Sequence, residues 1–99
     1  MKVYLYRWKL HADRESDFVA AWSERTRVLR ELGSFGSRLH RGDDGWWYGY
    51  AQWPDEAMRS RAFARVDGDA VYERMRATVI ERLPEVELDP VADFLVAAS

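Results

Sequence analysis

The 99-residue chain is 47% apolar, 14% aromatic and 32% charged, with no cysteine, three prolines and six glycines, and its fifteen Lys+Arg against seventeen Asp+Glu leave a net charge of −2. That length fits one compact domain, residues 1–99, with no room for a second core. The interspersed charges lack the clustered basic footprint of a nucleic-acid-binding domain, and the missing cysteine removes disulfides, thiol catalysis and thiolate metal sites together.

The first segment, Val3–Leu10, is rich in aromatic and β-branched residues and too short for a helix of average length, so it reads as a strand. One face carries Tyr4, Tyr6, Trp8 and Leu10, the other Val3, Leu5, Arg7 and Lys9. Both faces begin apolar, as in a strand covered on two sides. Asp13–Leu32 follows as a long amphipathic helix: carboxylates at Asp13, Glu15 and Asp17 suit the positive end of its dipole, and Arg27 and Arg30 suit the negative end. Phe18, Trp22, Thr26, Leu29 and Leu32 form its apolar stripe, and Gly33 is its stop.

Phe35–Arg41 and Trp46–Trp53 read as a hairpin joined by Gly42-Asp43-Asp44-Gly45. Pairing Arg41 with Trp46 sets Leu39 beside Tyr48 and Ser37 beside Tyr50 on one face. The other face then holds His40 beside Trp47 and Arg38 beside Gly49. Pro54, Asp55 and Glu56 open a short helix with Met58, Ala62 and Val66 on its apolar edge. After Gly68 a second helical piece, Asp69–Leu83, carries Tyr72, Met75, Val79 and Leu83 and ends at Pro84. The tail alternates Val86 and Leu88 and continues past Pro90 as a broken or edge strand over Val91–Val96.

The order β-α-β-β-α-β predicts an α+β fold: a ferredoxin-like antiparallel sheet with its helices on one face. Val3, Leu5, Leu39, Tyr48 and Tyr50 are then expected on the uncovered face. A face that apolar calls for a partner, and a two-fold dimer through it is the simplest closed solution. Five tryptophans, five tyrosines and four phenylalanines also exceed what one minimal core requires. No segment reaches the roughly 20 apolar residues of a membrane span, so a cytoplasmic protein with no membrane partner is expected.

Several residues resemble a known family. Tyr6-Arg7-Trp8-Lys9-Leu10 with Phe18 and Trp22, the approach Gly33-Ser34-Phe35-Gly36-Ser37, and Tyr50-Ala51-Gln52-Trp53 before an acidic helix start are similar to the antibiotic biosynthesis monooxygenase-like proteins of the dimeric α/β-barrel superfamily. The resemblance implies a homodimer whose two sheets form a barrel, with a small pocket between sheet and helices in each subunit. It also implies activities such as oxidation of polycyclic aromatics without metal or flavin, quinol oxidation and haem degradation. Haem-degrading members use an asparagine on the first strand with a tryptophan and a histidine on the second helix. Here Tyr6 stands at the first-strand position, and 55–69 holds neither residue.

His40, with Trp47 and Arg38, is the candidate catalytic constellation: His40 as general base toward an acidic phenol, Arg38 stabilising the phenolate, Trp47 as a wall. Packing of a surface histidine on an indole is the plainer reading of the same residues. Tyr6, Trp8, Trp22, Trp53, Tyr72 and Met75 are candidates to line a pocket for a flat aromatic ligand. Ordinary core packing is their simpler role. Arg7 and Lys9 on the predicted dimer face call for carboxylates, with Glu87, Asp89 and Asp93 available. Asp43 and Asp44 lack a third ligand and suit a turn, so no metal and no other cofactor is expected. Two functions follow: a cofactor-independent monooxygenase acting on an aromatic or quinone-like compound, or a non-catalytic dimer that binds such a compound or serves in interactions. The chain contains no asparagine, which favours the second over an asparagine-based oxygenase.

Overall fold

The computed structural model describes residues 1–96. Four antiparallel strands form one sheet in the order β2-β3-β1-β4: β1 Lys2–Leu10, β2 Gly36–Arg41, β3 Trp47–Trp53 and β4 Val79–Leu88. After a single 3-10 turn at Ala12–Arg14, helix α1 spans Glu15–Glu31; α2 spans Glu56–Val66 and α3 Ala70–Arg76. This is the predicted ferredoxin-like order, with the second helical region split at Gly68.

Local chemistry explains most element ends. The C-terminus of α1 closes with a Schellman pair, the Ser34 N–H donating to the Leu29 carbonyl (3.0 Å) and the Gly33 N–H to the Arg30 carbonyl (3.2 Å). Gly33 takes φ 117°, a conformation open to glycine at little cost. Asp55 caps α2 by accepting from the Met58 N–H at 2.8 Å, and Asp69 caps α3 by accepting from the Tyr72 N–H at 2.7 Å.

Three expectations are corrected. The helix predicted to reach Leu83 ends at Arg76, and Val79–Leu83 belongs to β4 instead. The β-branched run Thr78-Val79-Ile80 fits a pleated surface better than a helix, and the Thr78 carbonyl accepts from the His11 N–H as the strand begins. Pro84 lies within β4 where the register shifts between Leu5 and Arg7, a bulge that tolerates a residue with no N–H. The strand predicted over Val91–Val96 does not form: β4 ends at Leu88 and residues 89–96 are exposed.

The hairpin register is the third correction. Arg41 pairs with Trp47, not Trp46, so His40 faces Tyr48, Leu39 faces Gly49 and Arg38 faces Tyr50. A slip of one residue exchanges the faces of β2 relative to β3. Leu39 therefore joins the helix-covered core rather than the open face.

The helices cover the sheet face built from Tyr4, Tyr6, Trp8 and Leu10 of β1 and from Trp47, Gly49, Ala51 and Trp53 of β3. Phe18 of α1, fully buried, meets the Trp8 and Trp47 rings edge-on at 5.2 and 5.9 Å. A second cluster joins Tyr4, Ala51 and Trp53 to Ala62 of α2. The opposite face carries Val3, Leu5, Arg7, Tyr48 and Tyr50, together with Val86 and Leu88, which are more than a third exposed. No helix among the described residues is long and apolar enough to cross a membrane.

Candidate functional site

Between the two core clusters the helices stand away from the sheet and leave a cavity of about 890 Å³. Tyr6, Trp8, Trp22, Trp53, Tyr72 and Met75 all line it. The six candidate pocket residues thus converge from β1, α1, β3 and α3 on one space, and the size matches that of small-molecule sites. Trp47 does not join them; it is buried beneath Phe18, its indole under the Arg41 guanidinium at 4.9 Å.

The constellation expected around His40 does not assemble. His40 and Arg38 are exposed on the uncovered face of the sheet, opposite to Trp47, and neither lines the cavity. The reason is the register: with Trp46 held in the turn, its N–H donating to Asp44 at 2.9 Å, Trp47 becomes the first inward residue of β3.

Charged groups in the cavity come from positions the periodicity assigned to no role. Tyr6 stacks on Trp8 with ring centroids 5.7 Å apart and planes 13° from parallel. Its hydroxyl oxygen accepts twice from Arg59 of α2, from Nε at 3.2 Å and Nη2 at 2.8 Å. The same Nη2 donates to Glu85 of β4 at 2.6 Å, and the guanidinium lies 4.0 Å over the Tyr4 ring and 4.5 Å from the Phe63 ring. A phenol oxygen has two acceptor lone pairs and one proton. With both acceptor sites filled by one cation, the proton of Tyr6 is the group left to donate, and it finds no acceptor among the described residues. Burial pushes the Tyr6 pKa above its ordinary value while the Arg59 hydrogen bond pulls the other way, and the net direction is upward. Tyr6 is therefore a neutral hydrogen-bond donor at physiological pH, with a fixed positive charge behind it.

Arg25 of α1 supplies another cation to the lining, flanked by rings: its guanidinium is 4.9 Å from the Tyr72 centroid and 5.5 Å from that of Phe63. The signal for Arg25 was present in the sequence, since it sits three residues after Trp22 and four before Leu29, inside the apolar stripe of α1. Arg59 and Phe63 share a face of α2 at i,i+4 spacing. Their convergence on Tyr6 depends on how α2 crosses the sheet, which spacing does not encode. Among the described residues no cluster of acidic and histidine side chains has the makings of a metal site.

No family model matches the sequence, and no curated protein matches it. Solved structures do. The crystal structure of SnoaB, a cofactor-independent oxygenase from Streptomyces nogalater, aligns with a TM-score of 0.80 at 16% identity over 94% of this chain and 95% of that one. A crystal structure of an antibiotic biosynthesis monooxygenase gives 0.77 at 15% identity, over 93% of this chain and all of the other. Rv0793 from Mycobacterium tuberculosis gives 0.72 at 15% identity, over 95% and 98%. At such identities the likeness is one of fold: the chain has the ferredoxin-like α+β fold of antibiotic biosynthesis monooxygenase structures, as the resemblance in its sequence implies.

Proposed function

We propose that the protein binds a flat aromatic compound in the cavity between sheet and helices and oxygenates it with molecular oxygen, as a monooxygenase needing no cofactor. The observation that carries this reading is the aromatic-walled cavity with one polarised donor, the Tyr6 hydroxyl backed by Arg59. The similarity in fold to SnoaB, a cofactor-independent oxygenase, supports it.

The chemistry is balanced by substrate and oxygen alone. A methylene between two aromatic rings and conjugated through them with a carbonyl loses a proton to water and leaves an enolate whose negative charge rests on the carbonyl oxygen. The Tyr6 O–H donates to this oxyanion, and Arg59 behind it stabilises the charge without having to reorganise. The electron-rich enolate then reduces oxygen. Overall R₂CH₂ + O₂ gives R₂C=O + H₂O: carbon supplies four electrons, one oxygen atom enters the carbonyl and the other leaves as water. Trp8, Trp22 and Tyr72 hold the ring system and keep bulk water from the oxyanion.

Oxygen uptake with anthrone-like phenols and quinols tests the proposal. Wild type is expected to consume oxygen in proportion to substrate, Tyr6→Phe to lose on the order of 10²-fold in rate, and His40→Ala to match wild type. Substrate-dependent uptake that survives Tyr6→Phe unchanged would refute the role of the phenol. Saturable binding with no uptake by any form would instead select the non-catalytic binding protein, the reading that the missing asparagine favours.

The active unit of this proposal is a homodimer through the uncovered sheet face. Val3, Leu5, Tyr48 and Tyr50 share that face, and Arg7 Nε on it is buried without a hydrogen-bond partner among the described residues. Light scattering at micromolar concentration should return twice the 11.6 kDa chain mass; a monomer mass would overturn the dimer.

A further inference from the structure

We infer that Arg25 is an anchor for a carboxylate, so that the compound taken by the cavity is an aromatic acid carrying a second oxygen function. The inference rests on the cavity being a ligand site and names the class of ligand.

Arg25 is an incompletely paired cation in a confined place. Its side chain is only 13% exposed. Its single hydrogen bond among the described residues is long, from Nη1 to the Val66 carbonyl at 3.4 Å. Its nearest acid, Asp69, stands 4.0 Å from the same Nη1 and has that oxygen committed to capping α3 through the Tyr72 N–H. The Nε and Nη2 donors make no hydrogen bond among the described residues. They form the edge of a guanidinium that meets a carboxylate with two parallel bonds. Burial pushes the Arg25 pKa below its ordinary value, the cost of a charge held away from water. The faces of Tyr72 and Phe63 offset part of that cost and leave the planar edge unused.

Phe63 connects the two polar ends of the cavity, since the Arg25 and Arg59 guanidiniums lie 5.5 and 4.5 Å from its ring centre. Arg59 is occupied by Tyr6 and Glu85, whereas Arg25 is not. A ligand lying across the aromatic floor can therefore place a carbonyl or phenol oxygen at the Tyr6 O–H and a carboxylate at Arg25. An uncharged aromatic satisfies only the first.

Isothermal titration calorimetry with anthraquinone-2-carboxylate and anthraquinone-2-carboxamide separates the claims, because the two probes share a shape and differ in charge. Wild type should bind the carboxylate about tenfold or more tightly than the carboxamide, a charge-assisted bidentate contact being worth at least that ratio. Arg25→Gln should bring the ratio close to one, and an unchanged far-ultraviolet circular dichroism spectrum reports that the variant is folded. Arg25→Lys, which keeps the charge and loses the planar fork, should give an intermediate ratio. A wild-type ratio near one overturns the anchor whether or not the variants fold, as does a high ratio that survives Arg25→Gln; both leave the cavity reading standing. Saturation by neither probe overturns the anchor and the cavity reading together.

Discussion

Gly49→Ala is expected to disturb core and cavity through a single methyl group. Gly49 lies in β3 opposite Tyr6 on one side and Leu39 on the other, on the helix-covered face. A Cβ there would stand 2.8 Å from two carbons of the Trp8 indole, where ordinary contact begins at 3.4 Å. The indole has little room to yield, with Tyr6 stacked at 5.7 Å and the fully buried Phe18 edge-on at 5.2 Å. Gly49 has no positive φ, so alanine enters without backbone strain and gains about 0.4–1 kcal/mol from a less flexible unfolded chain. Overpacking of this kind costs about 1–3 kcal/mol, and the net loss should be about 1–2 kcal/mol. In urea, with a slope of about 1–3 kcal/mol per molar, the midpoint should fall by about 0.3–2 M. Protein concentration must be held constant, because association adds to apparent stability. Trp8 also lines the cavity, so affinity for an aromatic ligand should drop in the same variant. A midpoint equal to or above that of wild type would refute the reasoning, since it would mean that Trp8 does not occupy the space over Gly49.

Two further outcomes test the core and the hairpin. Phe18→Ala empties a fully buried site between two indoles and should cost about 3–5 kcal/mol in the same urea assay; a loss below about 1 kcal/mol would contradict the core assignment. Asp44, whose carboxylate accepts from the Tyr48 hydroxyl and the Trp46 N–H, is held below its ordinary 3.8 by those bonds. A carboxylate with a depressed folded-state pKa stabilises the fold above its unfolded value, and that contribution fades as pH falls through the folded value. Asp44→Asn should therefore lower the urea midpoint at neutral pH and make progressively less difference below pH 3.8, while an equal difference at every pH would exclude the linkage.

Parts of the fold were legible wherever one residue's chemistry decides the outcome locally. Gly33 ends α1 because a left-handed residue is required there, and Asp55 and Asp69 start helices because a carboxylate can accept from the exposed N–H groups. The alternation in β1 placed Tyr6 and Trp8 on one face, and the stripe of α1 placed Trp22 toward them. Prediction failed where neighbouring residues offer equal alternatives. Trp46 and Trp47 are adjacent and alike, so only the turn, with Gly42 donating to the Trp46 carbonyl at 2.7 Å, fixes which indole is buried. That parity sent His40 and Arg38 to the opposite face. The run after Arg76 carried helical spacing as well as β-branched residues, and pairing with β1 resolved it in favour of the strand.

The sequence by itself determined the class of the domain, the order of its elements and the aromatic residues that turn inward, because hydrophobic period and caps act over a few residues and survive without knowledge of partners. Tertiary structure alone decided which polar groups meet. Tyr6, Arg59 and Glu85 come from β1, α2 and β4, and Arg25 is left with an unused edge because the α3 cap claims the oxygen of its nearest acid. Such meetings depend on the crossing of helices over a twisted sheet and on a register set by one turn residue, quantities that no local pattern carries.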